Sequence, residues 1–310
     1  MHKAVQDTPG LGPPQSADAV CLCLRRLLKD SVRGYRRELA NCRRRLSRGS
    51  THRLRIAIRR LLVCLRLVGV AQKEPPGVSA FLRVQLKALG GVRDTHVQLQ
   101  LIKQGACRGA REMKPLRDHL RRRKRRRIRA AAQSLKSDKA LRRLQAWNPR
   151  LDKGGPRVIP RLRRLVDGKI REAIDSLSSL SESAAPDAEA LHRSRVLSRE
   201  CCHIVEALGP CWRGDPTGEL LASLRAYQQG VGRQHDRQVL LRWMLRLAKE
   251  GELPAAPSRG IGETLAAADR LKPSFLRDWR TVLETLLARR ASPSRRPRRA
   301  GAGLRGRAAR

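Results

Sequence analysis

The sequence predicts an all-α protein, and three observations support that prediction. Leucine-rich segments with apolar residues three or four positions apart recur along most of the chain, which is the spacing of amphipathic helices. β-branched alternation of the kind that marks strands is scarce. Hydrophobic residues make up 40% of the chain and aromatic residues only 3%, so Leu, Val, Ile and Ala must form the core. We therefore expect roughly eight to ten helices, separated at proline-containing breaks.

Composition divides the chain into two ends and a folded body. Residues 1–16 combine Pro, Gly and polar residues and predict a loose leader, whereas 289–310 combine Pro, Gly and Arg and predict a disordered basic tail. The tail contains nine Arg and no acidic residue, so about +33 of the formal net charge of +42 belongs to the rest of the chain. A break near 148–156 separates the predicted halves 17–147 and 157–288, which together form one domain.

Several protein classes are disfavoured by the same sequence. It has no uninterrupted apolar run of about 18 residues, as a membrane-spanning helix would need, and its N-terminus lacks the order of a signal peptide. We therefore expect a cytoplasmic protein. The eight cysteines do not form the framework of a small secreted domain, so we expect them to be reduced and mostly buried.

The two halves contain an internal repeat. Residues 51–66 (THRLRIAIRRLLVCLR) resemble 191–206 (LHRSRVLSRECCHIVE), and LGGVRD at 89–94 resembles VGRQHD at 231–236. Such self-similarity indicates duplication of a structural unit. The superposed pairs are His52 and His192, Arg55 and Arg195, Arg59 and Arg199, and Asp94 and Asp236.

The first repeated helix has a core face and a cationic ridge. On a helical wheel with 100° per residue, four arginines fall within about 60° on one side of His52: Arg48, Arg55, Arg59 and Arg66. The opposite side is apolar and contains Leu54, Ile58, Leu61, Leu65 and Val68. No acidic residue occurs between Glu38 and Glu74, and stacked like charges destabilise a helix. We therefore expect an external anion, although an ordinary solvated face is the simpler alternative.

His52 and Asp94 each have two interpretations. Neighbouring arginines should lower the pKa of His52, so that its neutral imidazole donates a hydrogen bond to a phosphate rather than acting as a base. A purely structural histidine is the alternative. Asp94 could hold an arginine in a bidentate pair or only support local packing.

Weaker basic stripes provide secondary binding candidates. The second repeated helix has Glu206 where the first has Arg66, so we expect fewer contacts there. The run RRRKRRRIR at 121–129 distributes charge around a helix, and only part of it can face one site. The secondary candidates are Lys29, Arg33 (with Arg36 or Arg37 beside it), Arg48, Arg93, Arg122, Arg125 and Arg129.

The repeated motifs resemble those of the CHAD family, the conserved histidine α-helical domain, over roughly residues 17–288. The resemblance implies two four-helix bundles related by pseudo-twofold symmetry, which form one domain with a basic central groove or pore. It also implies binding of inorganic polyphosphate in a stand-alone form, without a triphosphate-cleaving domain. Carried over by position, the matching residues are His52, Arg55, Arg59, Arg60, His192, Arg195 and Arg199, and Arg66 continues the ridge.

These features are compatible with three functions. The first is non-catalytic binding of polyphosphate, associated with polyphosphate granules, since a chain of phosphates asks only for positioned cations and donors. The second is nucleic-acid binding, which the net charge alone would suggest, although few aromatics are available for stacking on bases. The third is phosphate-ester or anhydride catalysis, which sparse carboxylates and the lack of a phosphate-binding glycine loop disfavour. We expect no catalytic residues, cofactor, metal site or membrane contact.

Overall fold

The computed structural model describes residues 16–103, 114–147, 151, 157–182, 188–211 and 218–250, and it is all-α in these ranges, as predicted. The predicted basic tail, most of the leader and residues 251–288 of the predicted domain lie outside them. The described ranges contain eight α-helices and the short 3-10 helix Gly209–Cys211. The α-helices are α1 (Ala17–Arg44), α2 (Arg48–Gly69), α3 (Val78–Lys103), α4 (Lys114–Leu135), α5 (Lys139–Ala146), α6 (Val158–Glu182), α7 (Ala188–Leu208) and α8 (Gly218–Lys249).

A capping box fixes the start of α2 and therefore the start of its cationic ridge. The hydroxyl of Ser47 accepts a hydrogen bond from the Ser50 backbone N–H at 3.1 Å, and the Ser50 hydroxyl accepts one from the Ser47 N–H at 2.9 Å. These bonds satisfy two backbone donors at the N-terminus. Arg48 is accordingly the first residue of the helix.

The predicted apolar face of α2 is confirmed, because its side chains form part of the main core. Each of its members is no more than 1% exposed: Leu54, Ile58, Leu61, Leu65 and Val68. In chain order, α1 packs on α2, α2 on α3 and α3 on α4, and further along α6 packs on α7 and α7 on α8. A smaller apolar cluster joins α3 and α4 to α8. No helix in the described ranges is long and apolar enough to cross a bilayer.

The two halves meet where α2 contacts α7 and where α3 contacts α8. Two ion pairs cross the α2–α7 contact: Arg60 Nη2 lies 3.9 Å from Glu206 Oε2, and Arg66 pairs with Glu200. The repeat superposition aligns Arg60 with Glu200 and Arg66 with Glu206. The same superposition therefore maps the Arg60–Glu206 pair onto the Arg66–Glu200 pair. This reciprocity is what a local twofold contact produces. The pseudo-symmetry of two complete four-helix bundles remains a prediction.

The expectation that the cysteines are reduced is wrong for one pair. Cys23 of α1 and Cys211 of the 3-10 helix form a disulfide with a Cα–Cα distance of 5.8 Å, across a sequence separation of 188 residues. Their spacing gave no indication of pairing, because a disulfide requires proximity of Cα atoms that only the folded chain creates. The other described cysteines are not disulfide-bonded and are buried, as expected: Cys21, Cys42, Cys64, Cys201 and Cys202.

Candidate functional site

Four repeated arginines come together between α2 and α7. Arg55 and Arg59 project from α2, Arg195 and Arg199 from α7, and all four are half-buried; we call them the central arginine cluster. Burial, followed by the charge of Arg199, lowers the pKa of Arg59 to about 8. Burial, followed by Arg195, lowers the pKa of Arg199 to about 10. The folded chain therefore concentrates like charges where water is partly excluded, which is unfavourable unless an anion is present.

The members of this cluster are satisfied to different degrees. The Arg55 guanidinium donates from Nη1 to the Leu86 carbonyl at 2.7 Å. The Nε of Arg195 is buried and has no hydrogen-bond partner within the described ranges. Among the described residues, Arg59 and Arg199 have no hydrogen-bonding or ion-pairing partner. The cluster thus retains donors that can bind an external acceptor.

Arg93 is held by a carboxylate from the opposite half of the chain. Its Nη1 and Nη2 donate to the two carboxylate oxygens of Asp236 at 2.6 and 2.7 Å, joining α3 to α8. Burial alone would lower the pKa of Arg93, but the bonds to Asp236 raise it. Asp94 lies 3.4 Å from Arg93 Nη1. The bidentate pair considered for Asp94 is therefore made by its repeat counterpart, Asp236, and Arg93 is largely neutralised.

Two adjacent glycines explain the LGGVRD motif. A Cβ atom on Gly90 would lie 3.1 Å from Arg55 Nη1, and one on Gly91 would lie 3.0 Å from Cδ of Arg127. Glycine permits close approach because it has no side chain. Gly90 thus makes room for an arginine of the central cluster, and Gly91 makes room for an arginine of α4.

His52 lies on the exposed side of α2 beside this cluster. Its pKa is lowered, as predicted, first by burial and then by Arg93, Arg59 and Arg55. It therefore favours the neutral imidazole, which can donate one N–H. Its counterpart His192 is exposed on α7.

Two arginines of α2 are neutralised by acidic residues that lie far away in sequence. Arg60 and Arg66 face Glu206 and Glu200 of α7, as described above. The Glu206 carboxylate also interacts with His203 and accepts a hydrogen bond from Arg225 Nη2 at 2.6 Å, and these contacts lower its pKa to about 2. Acidic residues that are distant from α2 in sequence therefore lie close to it in the folded chain.

On α4 the arginines that contact neighbouring helices differ from those of the predicted stripe, and we call these two, Arg123 and Arg127, the inward pair. Arg122, Arg125 and Arg129 are exposed, whereas Arg123 is half-buried and Arg127 contacts α3 at Gly91. Sequence reasoning missed these two residues. The signal was present, because the buried residues Leu116, Leu120, Ala131 and Leu135 define a stripe that passes through positions 123 and 127.

The remaining secondary candidates lie outside the central cluster. Lys29, Arg33 and Arg48 are exposed, and Arg33 Nη1 is 3.4 Å from Asp30 Oδ1. Within the described ranges, no group of three or more His, Cys, Asp or Glu side chains is arranged to hold a metal ion.

Sequence and structure comparisons are consistent with this geometry. The family model of the CHAD domain matches residues 26–245. The chain belongs to the CHAD domain family. The crystal structure of the CHAD domain from the plant Ricinus communis is similar, with a TM-score of 0.63 and 18% identity over 92% of this chain and 95% of that one. PptA from Streptomyces chartreusis is also similar, with a TM-score of 0.59 and 15% identity over 89% of this chain and 100% of that one.

At these identities, the two solved structures establish the CHAD fold and nothing about the ligand. No curated protein matches the sequence. Any assignment of a ligand therefore depends on the residues of this chain and on membership of the family.

Proposed function

We propose that the central arginine cluster of this CHAD domain binds inorganic polyphosphate without cleaving it. The observation that carries the proposal is the pair Arg59 and Arg199, which lie across the α2–α7 contact with lowered pKa values and, among the described residues, form no hydrogen bond or ion pair with a carboxylate. A linear chain of phosphates supplies negative charge to both sides of this contact at once. The association of CHAD domains with polyphosphate supports this choice of ligand.

The aromatic residues favour polyphosphate over single-stranded nucleic acid. The chain has 4 Trp, 2 Tyr and 2 Phe. Among the described ones, Tyr35 and Tyr227 are fully buried, Trp243 is 5% exposed, and Phe81 and Trp147 are partly buried and packed against the core. Buried rings cannot stack on bases. Duplex nucleic acid is the second candidate, because the exposed arginines of α4 could contact a phosphate backbone without reading bases.

A binding role also fits the carboxylates near the cluster. Asp236 is used by the bidentate pair with Arg93, and Asp94 is the other carboxylate identified there. Mg²⁺-dependent phosphoryl transfer requires carboxylates free to hold the metal. We accordingly propose that the protein is not an enzyme. We further propose that it acts in the cytoplasm, at polyphosphate granules.

Competition between ligands tests the proposal. Polyphosphate and duplex DNA or RNA of equal phosphate content compete for the full chain at physiological ionic strength, and we expect polyphosphate to bind preferentially. Arg59→Ala with Arg199→Ala should weaken its binding strongly. The matched control, Arg164→Ala with Arg171→Ala, removes the same charge from exposed positions of α6 and should have little effect. A preference for nucleic acid, or equal losses in both variants, would contradict the proposal.

The tail provides a second test of where binding occurs. Deletion of 289–310 removes nine arginines, and long-range electrostatics alone would make this the more damaging change. We expect it to cost less affinity than Arg55→Ala with Arg59→Ala. A larger loss on deleting the tail would assign binding to the tail.

A further inference from the structure

The cationic surface does not end at the α2–α7 contact. Gly90 and Gly91 are successive residues of α3, so the directions in which they face differ by about 100° around the helix. Arg55 of α2 lies against the first and Arg127 of α4 against the second. Arginines from two different helices therefore lie on adjoining faces of α3.

One carboxylate lies between these two groups of arginines. Asp94 follows Gly90 by four residues and Gly91 by three, so it is one helical turn beyond both. Burial lowers the pKa of both Arg55 and Arg123, and the charge of Asp94 opposes this lowering in each case. The central cluster and the inward face of α4 are therefore close enough to share a counter-charge, and a single carboxylate cannot neutralise both.

Arg123 is held in place but is not satisfied. Its Cζ lies 5.4 Å from the centroid of the Trp243 ring of α8, a cation–π contact. Its Nη1 is buried and has no hydrogen-bond partner in the part of the chain that the structure describes, and burial followed by Arg127 lowers its pKa. Arg127, four residues along the same helix, is exposed. Arg123 therefore supplies a fixed, half-buried positive charge, and Arg127 supplies an accessible cation beside it.

We infer that the anion site continues across the glycines of α3 onto Arg123 and Arg127 of α4. This inference rests on the proposed function and narrows its ligand class. The central cluster binds a short phosphate segment, and the α4 pair binds the continuation of a long polyphosphate chain. The site is therefore selective for chain length, and α4 supplies that selectivity.

Two double variants of the full chain test this inference. Arg123→Ala with Arg127→Ala removes the inward pair, and Arg122→Ala with Arg125→Ala removes the same charge from exposed positions of the same helix. Affinities for long-chain polyphosphate and for tripolyphosphate are measured at physiological ionic strength. We expect the inward variant to lose about tenfold in affinity for the long chain, equivalent to about 1.4 kcal/mol. Its affinity for tripolyphosphate should be unchanged.

The outcomes separate this inference from the proposed function. If the wild-type chain binds neither ligand, the proposed function fails. If it binds both but the inward variant loses nothing, loses both equally or matches the exposed variant, only the extension onto α4 is overturned. Circular dichroism and thermal unfolding check that each variant is folded. If the inward double variant unfolds, Arg127→Gln alone carries the same expectation with a smaller loss, because that side chain is exposed.

Discussion

Replacement of Arg59 by methionine should stabilise the unliganded protein. The pKa of Arg59 is lowered to about 8 from the ordinary arginine range above 12. Each tenfold change in proton affinity corresponds to about 1.4 kcal/mol, so the charge costs the folded state at most about 6 kcal/mol near neutral pH. Side-chain relaxation and water reduce this cost, and replacement of buried ionic groups by apolar ones typically gains about 1–4 kcal/mol. We expect Arg59→Met to raise the free energy of unfolding by about 1–3 kcal/mol.

Thermal unfolding with and without polyphosphate measures both consequences of this substitution. The unliganded variant should unfold several degrees higher than the wild type, at roughly 2–4 °C per kcal/mol, and polyphosphate should stabilise it less. Arg129→Met, at an exposed position of α4, is the control and should change stability by less than about 0.5 kcal/mol. If Arg59→Met lowers the unfolding temperature without ligand, Arg59 is a satisfied structural residue and the argument for an anion fails.

The difference in stability between Arg59→Met and the wild type should depend on pH in a defined direction. Because the pKa of Arg59 is lower in the folded state than in the unfolded state, the folded protein releases this proton first as pH rises. The penalty is therefore fully present below about pH 8 and is relieved above it. The stability gap between Arg59→Met and the wild type should narrow as the pH is raised from neutrality to beyond that value. A gap that widens over that range would contradict the assignment.

Four further substitutions, one of them a control, test the disulfide and the contacts around the cluster. Cys23→Ser should lower the free energy of unfolding by up to about 5 kcal/mol, because the disulfide closes a long loop. Denaturant unfolding of the wild type and the variant at one temperature, with and without a reductant, measures this loss. Gly90→Ala should displace the Arg55 side chain and weaken polyphosphate binding, whereas Gly168→Ala, with open space around it, should stabilise its helix by about 0.5–1 kcal/mol. Asp236→Asn should lower the free energy of unfolding by about 1–3 kcal/mol, because it breaks the charge-assisted pair with Arg93. Denaturant unfolding measures this loss, and an unchanged midpoint would show that the pair does not stabilise the fold.

The parts of the fold that follow from local periodicity were predictable. The apolar face and cationic ridge of α2 are set by residue spacing within one helix, and both lie where the helical wheel puts them. The repeat then predicted that Arg195 and Arg199 would resemble Arg55 and Arg59 in position. The direction of the His52 pKa shift was also predictable from its neighbours on α2, but its two largest causes, burial and the charge of Arg93 on α3, were not.

The contacts that depend on distant segments were not predictable from a single sequence. Glu200 and Glu206 reach the ridge only because α7 packs on α2, and Asp236 reaches Arg93 only because α8 packs on α3. The disulfide has the same origin. The inward face of α4 is an intermediate case, since extension of its buried leucine and alanine stripe through the basic run would have selected Arg123 and Arg127.

The reciprocal pairs Arg60–Glu206 and Arg66–Glu200 have a consequence for how the protein is made. The ridge is synthesised well before the glutamates that face it, and Asp236 is added later still. No nascent chain that ends before residue 236 contains the complete site. The complete site therefore exists only after both halves have been translated.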